Sequence, residues 1–149
     1  MFHCLRTILS ATLLGLSVTT AQADPHLIIN GDTVYDKKTG LTWQRCSVGM
    51  RWNADTNLCV GTQKEMTFDE AKRGWSNGWR VPTKDELASL IGRANKEAFP
   101  DTWDRPNEIY WSSTPGGATR GWAVFFYYGD TYSANRSYTY AVRGVRGGQ

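Results

Sequence analysis

The residues of this chain that could carry chemistry concentrate in one short stretch, CSVGMRWNADTNLC, from Cys46 to Cys59. Asn53, Asp55 and Asn57 stand at alternate positions, as the oxygen ligands of a calcium loop do. An EF-hand loop begun at Asn53 would need glycine at its sixth position for the sharp turn and a bidentate glutamate at its twelfth. Leu58 and Lys64 occupy those places. An ammonium group there would oppose the cation where it needs its strongest ligand. The expectation is no metal and no cofactor, with the two cysteines explaining the stretch as a stapled loop.

A staple requires an oxidising compartment. The first residues, MFHCLRTILSATLLGLSVTTAQA, combine Arg6, an apolar run from Ile8 to Val18 and the small-residue cleavage signal Ala21-Gln22-Ala23. They read as a secretory signal peptide over residues 1–23. The run is too short to span a bilayer and nothing later approaches the needed length, so no transmembrane segment is expected. No cysteine follows the cleavage point directly and no twin arginine precedes it, which points to a periplasmic or secreted product of the general export route. Cleavage after Ala23 removes Cys4 and leaves Cys46 and Cys59 as the paired thiols. Their loop would stabilise the fold by about 3 kcal/mol in the chain-entropy picture. The formal charge of the whole chain is +3, and Arg6 leaves with the leader, so the balance does not imply nucleic acid.

The elements that must position these residues follow from patterning. TVYDKKTGLTWQ alternates about a Lys-Lys-Thr-Gly turn and predicts a hairpin from Thr33 to Gln44. A capping box at Thr67/Glu70 opens a first helix of about two turns, with Asn77-Gly78 as its stop. A second box at Thr83/Glu86 opens a second helix, whose Leu87, Leu90, Ile91 and Ala94 share one face. Beyond Pro100 the stretches EIYWSST, GWAVFFYY and SYTYAVRGVRG predict a mostly antiparallel sheet. Alternation puts Trp111, Trp122, Val124 and Phe126 in the core and turns Ala123, Phe125 and Tyr127 outward. The fold class is α+β, as one domain over residues 24–149.

DKKTGLTWQR, TFDEA, WRVPTKDELASLI, AFP, YWSST, GWAVFF and YAVRGVRG occur in that order, and the chain resembles the Lcl C-terminal domain family from about Thr33 to Gly147. The pair WRVPTKDEL and YWSST is the most specific part of the likeness. The resemblance implies a bacterial envelope domain with a compact C-type-lectin-like fold. That fold would pack two helices beside small antiparallel sheets, with the chain ends close together. It also implies a distant architectural kinship with formylglycine-generating enzymes. Those enzymes use two cysteines in their C-terminal part, and this chain has none after Cys59.

Other catalytic readings are weaker. His26 is the one imidazole beyond the leader, so Ser112, Ser113 and Thr114 of YWSST lack a base for a triad, and the same shortage argues against a Cys/His pair. Asp101, Asp104 and Glu108 could supply a two-carboxylate glycoside hydrolase, which stands as the enzymatic alternative. Arg105-Pro106-Asn107-Glu108 has arginine where the Glu-Pro-Asn tripeptide of calcium-dependent lectins has its first acid. Trp79-Arg80 reads as structural, because Thr83 caps the next helix. What remains is surface recognition. The last third holds Arg105, Arg120, Arg136, Arg143 and Arg146 without a lysine, amid eleven aromatic residues from Trp103 to Tyr140. Arg120, Phe125, Tyr127, Tyr132, Arg136 and Tyr138 are the expected binding residues. The expected partner is an anionic glycan or an envelope protein, bound by a non-enzymatic module. The alternative is a protein-interaction, immunity or inhibitor module.

Overall fold

The computed structural model describes residues 24–103 and 108–148. The leader with Cys4 lies outside the described residues, as do Asp104, Arg105, Pro106 and Asn107 of the carboxylate and tripeptide readings. Among the described residues, nine strands form three antiparallel sheets, joined by three short helices. β1 (Leu27–Asn30), β2 (Thr33–Asp36), β3 (Leu41–Gln44) and β9 (Val145–Gly147) make a four-stranded sheet in that order. The predicted hairpin is β2–β3, with Val34 opposite Trp43. The first and last described strands are the two edges of this one sheet. β4 (Met50–Asn53) pairs with β5 (Leu58–Gly61), a hairpin that begins within the cysteine stretch and ends just beyond it. β6 (Ile109–Pro115), β7 (Arg120–Phe125) and β8 (Asp130–Asn135) form the third sheet.

Both capping boxes form. Thr67 Oγ1 accepts from Glu70 N, and Glu70 reaches back to Thr67 N at 2.9 Å. Thr83 and Glu86 repeat the exchange at 3.2 and 2.8 Å. The helices they open are shorter than expected. α1 (Phe68–Ala71) ends at Lys72, and Gly74 then takes φ of +78° and turns the chain away. α2 (Lys84–Ala88) gives way to tighter turns in which Leu90 N donates to Leu87 O and Ile91 N to Ala88 O. Burial still follows the predicted face, with Leu87, Leu90 and Ala94 in the core. α3 (Pro100–Trp103) was not expected.

The third sheet has core on both faces, because alternate residues point to opposite sides. Tyr110 and Val124 join Val34, Trp43, Leu87 and Phe99 in one cluster. Trp111, Ala123 and Ala134 join Phe68, Ala71 and Val142 in the other. Two expectations are corrected here. Ala123 is fully buried rather than outward, since the segment around Phe68 and Val142 covers that face. Trp122 is only half-buried, with the Lys84 ammonium 4.8 Å from its ring centre. Gly121 is required at the crossing, where a Cβ would overlap the Phe68 ring.

Arg143, which in sequence belongs to the cationic tail, is fully buried and ties the halves together. Its guanidinium donates to Asp101 Oδ1 at 2.7 Å, Thr102 Oγ1 at 2.9 Å and the backbone oxygens of Gln44 and Arg45. Asp101 in turn accepts from Ser47 N at 2.7 Å. Burial favours the neutral acid, yet Arg143 and Ser47 outweigh it and hold the Asp101 carboxyl below the usual range. Burial also pushes the neighbouring Tyr110 phenol up to about 12. Among the described residues, no helix is long and apolar enough to cross a membrane.

Candidate functional site

The cysteine stretch builds one wall of a cleft. Cys46 and Cys59 are bonded, with their Cα atoms 5.6 Å apart. Between them β4 and β5 close on a turn in which Asn53 Oδ1 accepts from Asp55 N at 2.9 Å and Thr56 N at 3.0 Å. Asn57 takes the left-handed φ of +54°, which asparagine tolerates. The alternate Asn and Asp residues are thus explained by turn chemistry. Among the described residues, no group of three or more His, Cys, Asp or Glu side chains is arranged to hold a metal. Trp52 projects from β4 and lies under Arg45, whose guanidinium carbon is 3.4 Å from the ring centre. Arg45 is itself pinned by the carbonyls of Gly31 and Glu97, so the indole is stacked on a fixed cation.

The facing wall comes from the loop after α1. Trp75 donates its Nε1–H to Ala71 O at 2.7 Å, and its ring packs where Gly144 has no side chain. A Cβ at Gly144 would sit 2.6 Å from Trp75 Cζ3 and 2.6 Å from Gln44 Oε1. Trp79 closes the end, with the Arg146 guanidinium 4.7 Å from its ring centre. Together Trp52, Trp75 and Trp79 line a cleft of about 460 Å³, floored by Ser47, Val48 and Met66. Its polar rim consists of Arg51, Arg73, Gln44 and Asp32. Arg73 Nε donates to Asp69 O at 3.1 Å, and Arg51 makes no ion pair among the described residues. A cleft of this size, with aromatic walls and a few polar groups, fits a small ring-shaped ligand or one unit of a chain.

The residues expected from sequence to bind fall into separate groups. Phe125, Tyr128 and Tyr127 stack edge to face at the β7–β8 turn, with centroids 4.6 and 5.0 Å apart. Tyr127 sits on that turn rather than on a strand, and it is 59% exposed. Tyr132 and Tyr138 each approach Tyr140 at 6.3 Å, so those two are brought together. Burial, and after it the neighbouring Tyr140 side chain, raises the Tyr132 phenol above its ordinary range. Arg120 and Arg136 meet at the far end of β7, about 17 Å from Phe125 at the rise of a strand. Arg136 donates to Arg120 O and Gly117 O, each at 3.1 Å, while its guanidinium stands 4.8 Å from the Phe68 ring centre. Arg120 bonds Ser133 Oγ at 3.0 Å and the Ser133 carbonyl at the open edge of β8. An arginine so placed guards a sheet edge against foreign strands. Arg80 has a structural role as expected, bidentate to Glu86 at 2.7 and 2.6 Å.

Residues 32–146 match the family model of the Lcl C-terminal domain. The chain belongs to that family. A comparison with curated proteins finds no match. In this Lcl C-terminal domain all three cleft tryptophans and the tyrosines of the third sheet lie within the matched span, whereas β1 precedes it. Sequence reasoning did not single out Trp52 or Trp75 and read Trp79 as structural. The available signal was three tryptophans on either side of one capping box, outside any apolar periodicity that would have made them core.

Proposed function

We propose that this Lcl C-terminal domain is an exported, non-enzymatic recognition module of the bacterial envelope that binds anionic carbohydrate in the tryptophan-lined cleft. The observation that carries this reading is the convergence of Trp52, Trp75 and Trp79 on one cleft with Arg51 and Arg73 at its rim. Indole faces offer large, rigid contact area to a ring, and guanidinium groups pair with carboxylate or sulfate in a bidentate fork. The disulfide and the buried Arg143–Asp101 pair support it, since both hold the wall that carries Trp52 before any ligand arrives.

Calorimetric titration with polygalacturonate tests the proposal. Trp52→Ala and Trp79→Ala should each weaken binding by about 1 to 3 kcal/mol, the range for truncating an interface anchor. Affinity should fall steeply as salt screens the rim arginines. Binding that ignores both substitutions, or no binding of any acidic polysaccharide, overturns it. A second reading, a protein partner held on the tyrosine surface, is favoured by the exposure of Tyr127, Tyr128 and Tyr138, each more than half open to solvent. An interface of that kind would respond to Tyr127→Ala and weakly to salt.

A further inference from the structure

We infer that the sugar unit held in the tryptophan cleft is N-acetylated, and that Gln44 selects it by donating from its side-chain amide to the acetamido carbonyl. The inference rests on the reading of the cleft given above. Gln44 ends β3 and is one of the polar groups lining the cleft. Its Oε1 accepts from Gly144 N at 3.0 Å. That backbone group can only donate, so the oxygen must face it and the amide nitrogen must face away. The backbone of Gln44 is pinned as well, since its N–H donates to Gly144 O at 2.9 Å and its carbonyl accepts from the buried Arg143 at 2.9 Å. Nε2 has no hydrogen-bond partner among the described residues, yet it is not one of the buried polar atoms left unpaired, so it opens on the cleft that Gln44 lines. Its two N–H groups are donors held in place before a ligand arrives, and binding to them costs little ordering.

The surroundings decide what this donor meets. Trp75 is its neighbour, because the indole edge and Gln44 Oε1 each lie 2.6 Å from the point where a side chain on Gly144 would begin. Trp75 has spent its Nε1–H on Ala71 O and offers ring surface alone. Val48, Met66 and Ala71 line the same cleft, and the Ser47 hydroxyl is occupied by Tyr110 and Arg143. Asp32 lines the cleft together with Arg51 and Arg73, so charge of both signs is present and does not by itself choose the unit in the centre. Its carboxylate accepts but cannot donate, so it does not replace Gln44. A fixed neutral donor beside apolar surface complements an acetamido group, whose carbonyl accepts and whose methyl packs on the indole. A plain hydroxyl in that place would supply the acceptor without the apolar surface.

The test titrates di-N-acetylchitobiose and cellobiose, two uncharged disaccharides that carry an acetamido group or a hydroxyl at the same ring position, against the wild-type domain, Gln44→Glu and Trp52→Ala. The wild type should bind the acetylated sugar about tenfold more tightly. Gln44→Glu keeps an acceptor for Gly144 N–H and removes the donors, so the preference should fall below about threefold. The added charge does not account for such a loss, because neither sugar is charged. In the wild-type protein the Gln44 side-chain amide resonances should shift with the acetylated sugar and stay in place with cellobiose, a readout that does not depend on any variant folding. Trp52→Ala should weaken both sugars. Equal binding of the two sugars by the wild type, or a preference that survives Gln44→Glu, overturns the inference. If neither disaccharide binds while polygalacturonate does and responds to Trp52→Ala, the N-acetyl inference is refuted and the reading of the cleft stands. If Trp52→Ala alters the binding of none of the three, the reading of the cleft fails and this inference with it.

Discussion

Replacing Asp101 by asparagine should destabilise the domain severely and loosen its binding cleft at the same time. Arg143 is 1% exposed and Asp101 6% exposed, so their ion pair is shielded from water. The amide keeps a carbonyl to accept one bond but removes the charge, leaving a guanidinium buried among Ser47, Thr102, Tyr110 and backbone oxygens without a compensating anion. Breaking a buried pair from one side costs about 3 to 5 kcal/mol. With a urea slope of about 1.5 kcal/mol per molar, the unfolding midpoint should fall by roughly 2 to 3 M. The coupling has a direction, because Asp101 holds Ser47 N and Arg143 holds the carbonyls just before Cys46. The hairpin bearing Trp52 springs from that point. The double variant Asp101→Asn, Arg143→Met should recover part of the loss, since it removes the stranded charge. A loss below about 1 kcal/mol in the single variant would refute the view that this pair anchors the cleft wall.

Thiol labelling of denatured, unreduced mature protein should find no free cysteine, and Cys59→Ser should lower stability by about 3 kcal/mol. Gly121→Ala should cost about 1 to 3 kcal/mol by forcing the Phe68 ring aside, and an unchanged melting curve would show that the ring has room to move. Asp36 is fully buried; burial favours its neutral form, but the Arg93 bonds at 2.7 and 2.9 Å prevail and lower its pKa, as Arg143 does for Asp101. Groups with depressed folded values stabilise above the unfolded pKa of about 3.9, and that contribution is lost as pH falls through the folded values below it. Urea midpoints should therefore hold from neutrality to about pH 5 and decline below, and Asp101→Asn should show a shallower decline.

The parts legible in the sequence are those fixed by neighbours along the chain. Both capping boxes, the β2–β3 hairpin and the Cys46–Cys59 pair depend on residues within a few positions or on elimination, and all are present. Helix length was overestimated because the periodicity of Leu87, Leu90 and Ala94 survives in tight turns as well as in a regular helix. Trp122 shares a face with Val124 as alternation requires, but alternation cannot tell where the covering layer ends. The burial of Arg143 depends on Asp101, 42 positions away, and no local pattern marks that partnership. The β4–β5 hairpin and its Trp52 were hidden for a similar reason: the strands are short and mixed in polarity, and Arg45 and the disulfide hold them from outside.

Indole N–H resonances followed during titration with oligogalacturonate test the central claim most directly, since each tryptophan reports its own surroundings. The account predicts that Trp52, Trp75 and Trp79 shift together and saturate, while the fully buried Trp43 and Trp111 and the amides of the Tyr127–Gly129 turn stay in place. Shifts confined to the Tyr127–Tyr138 region, with the three cleft indoles unmoved, would contradict it and move recognition to the tyrosine surface.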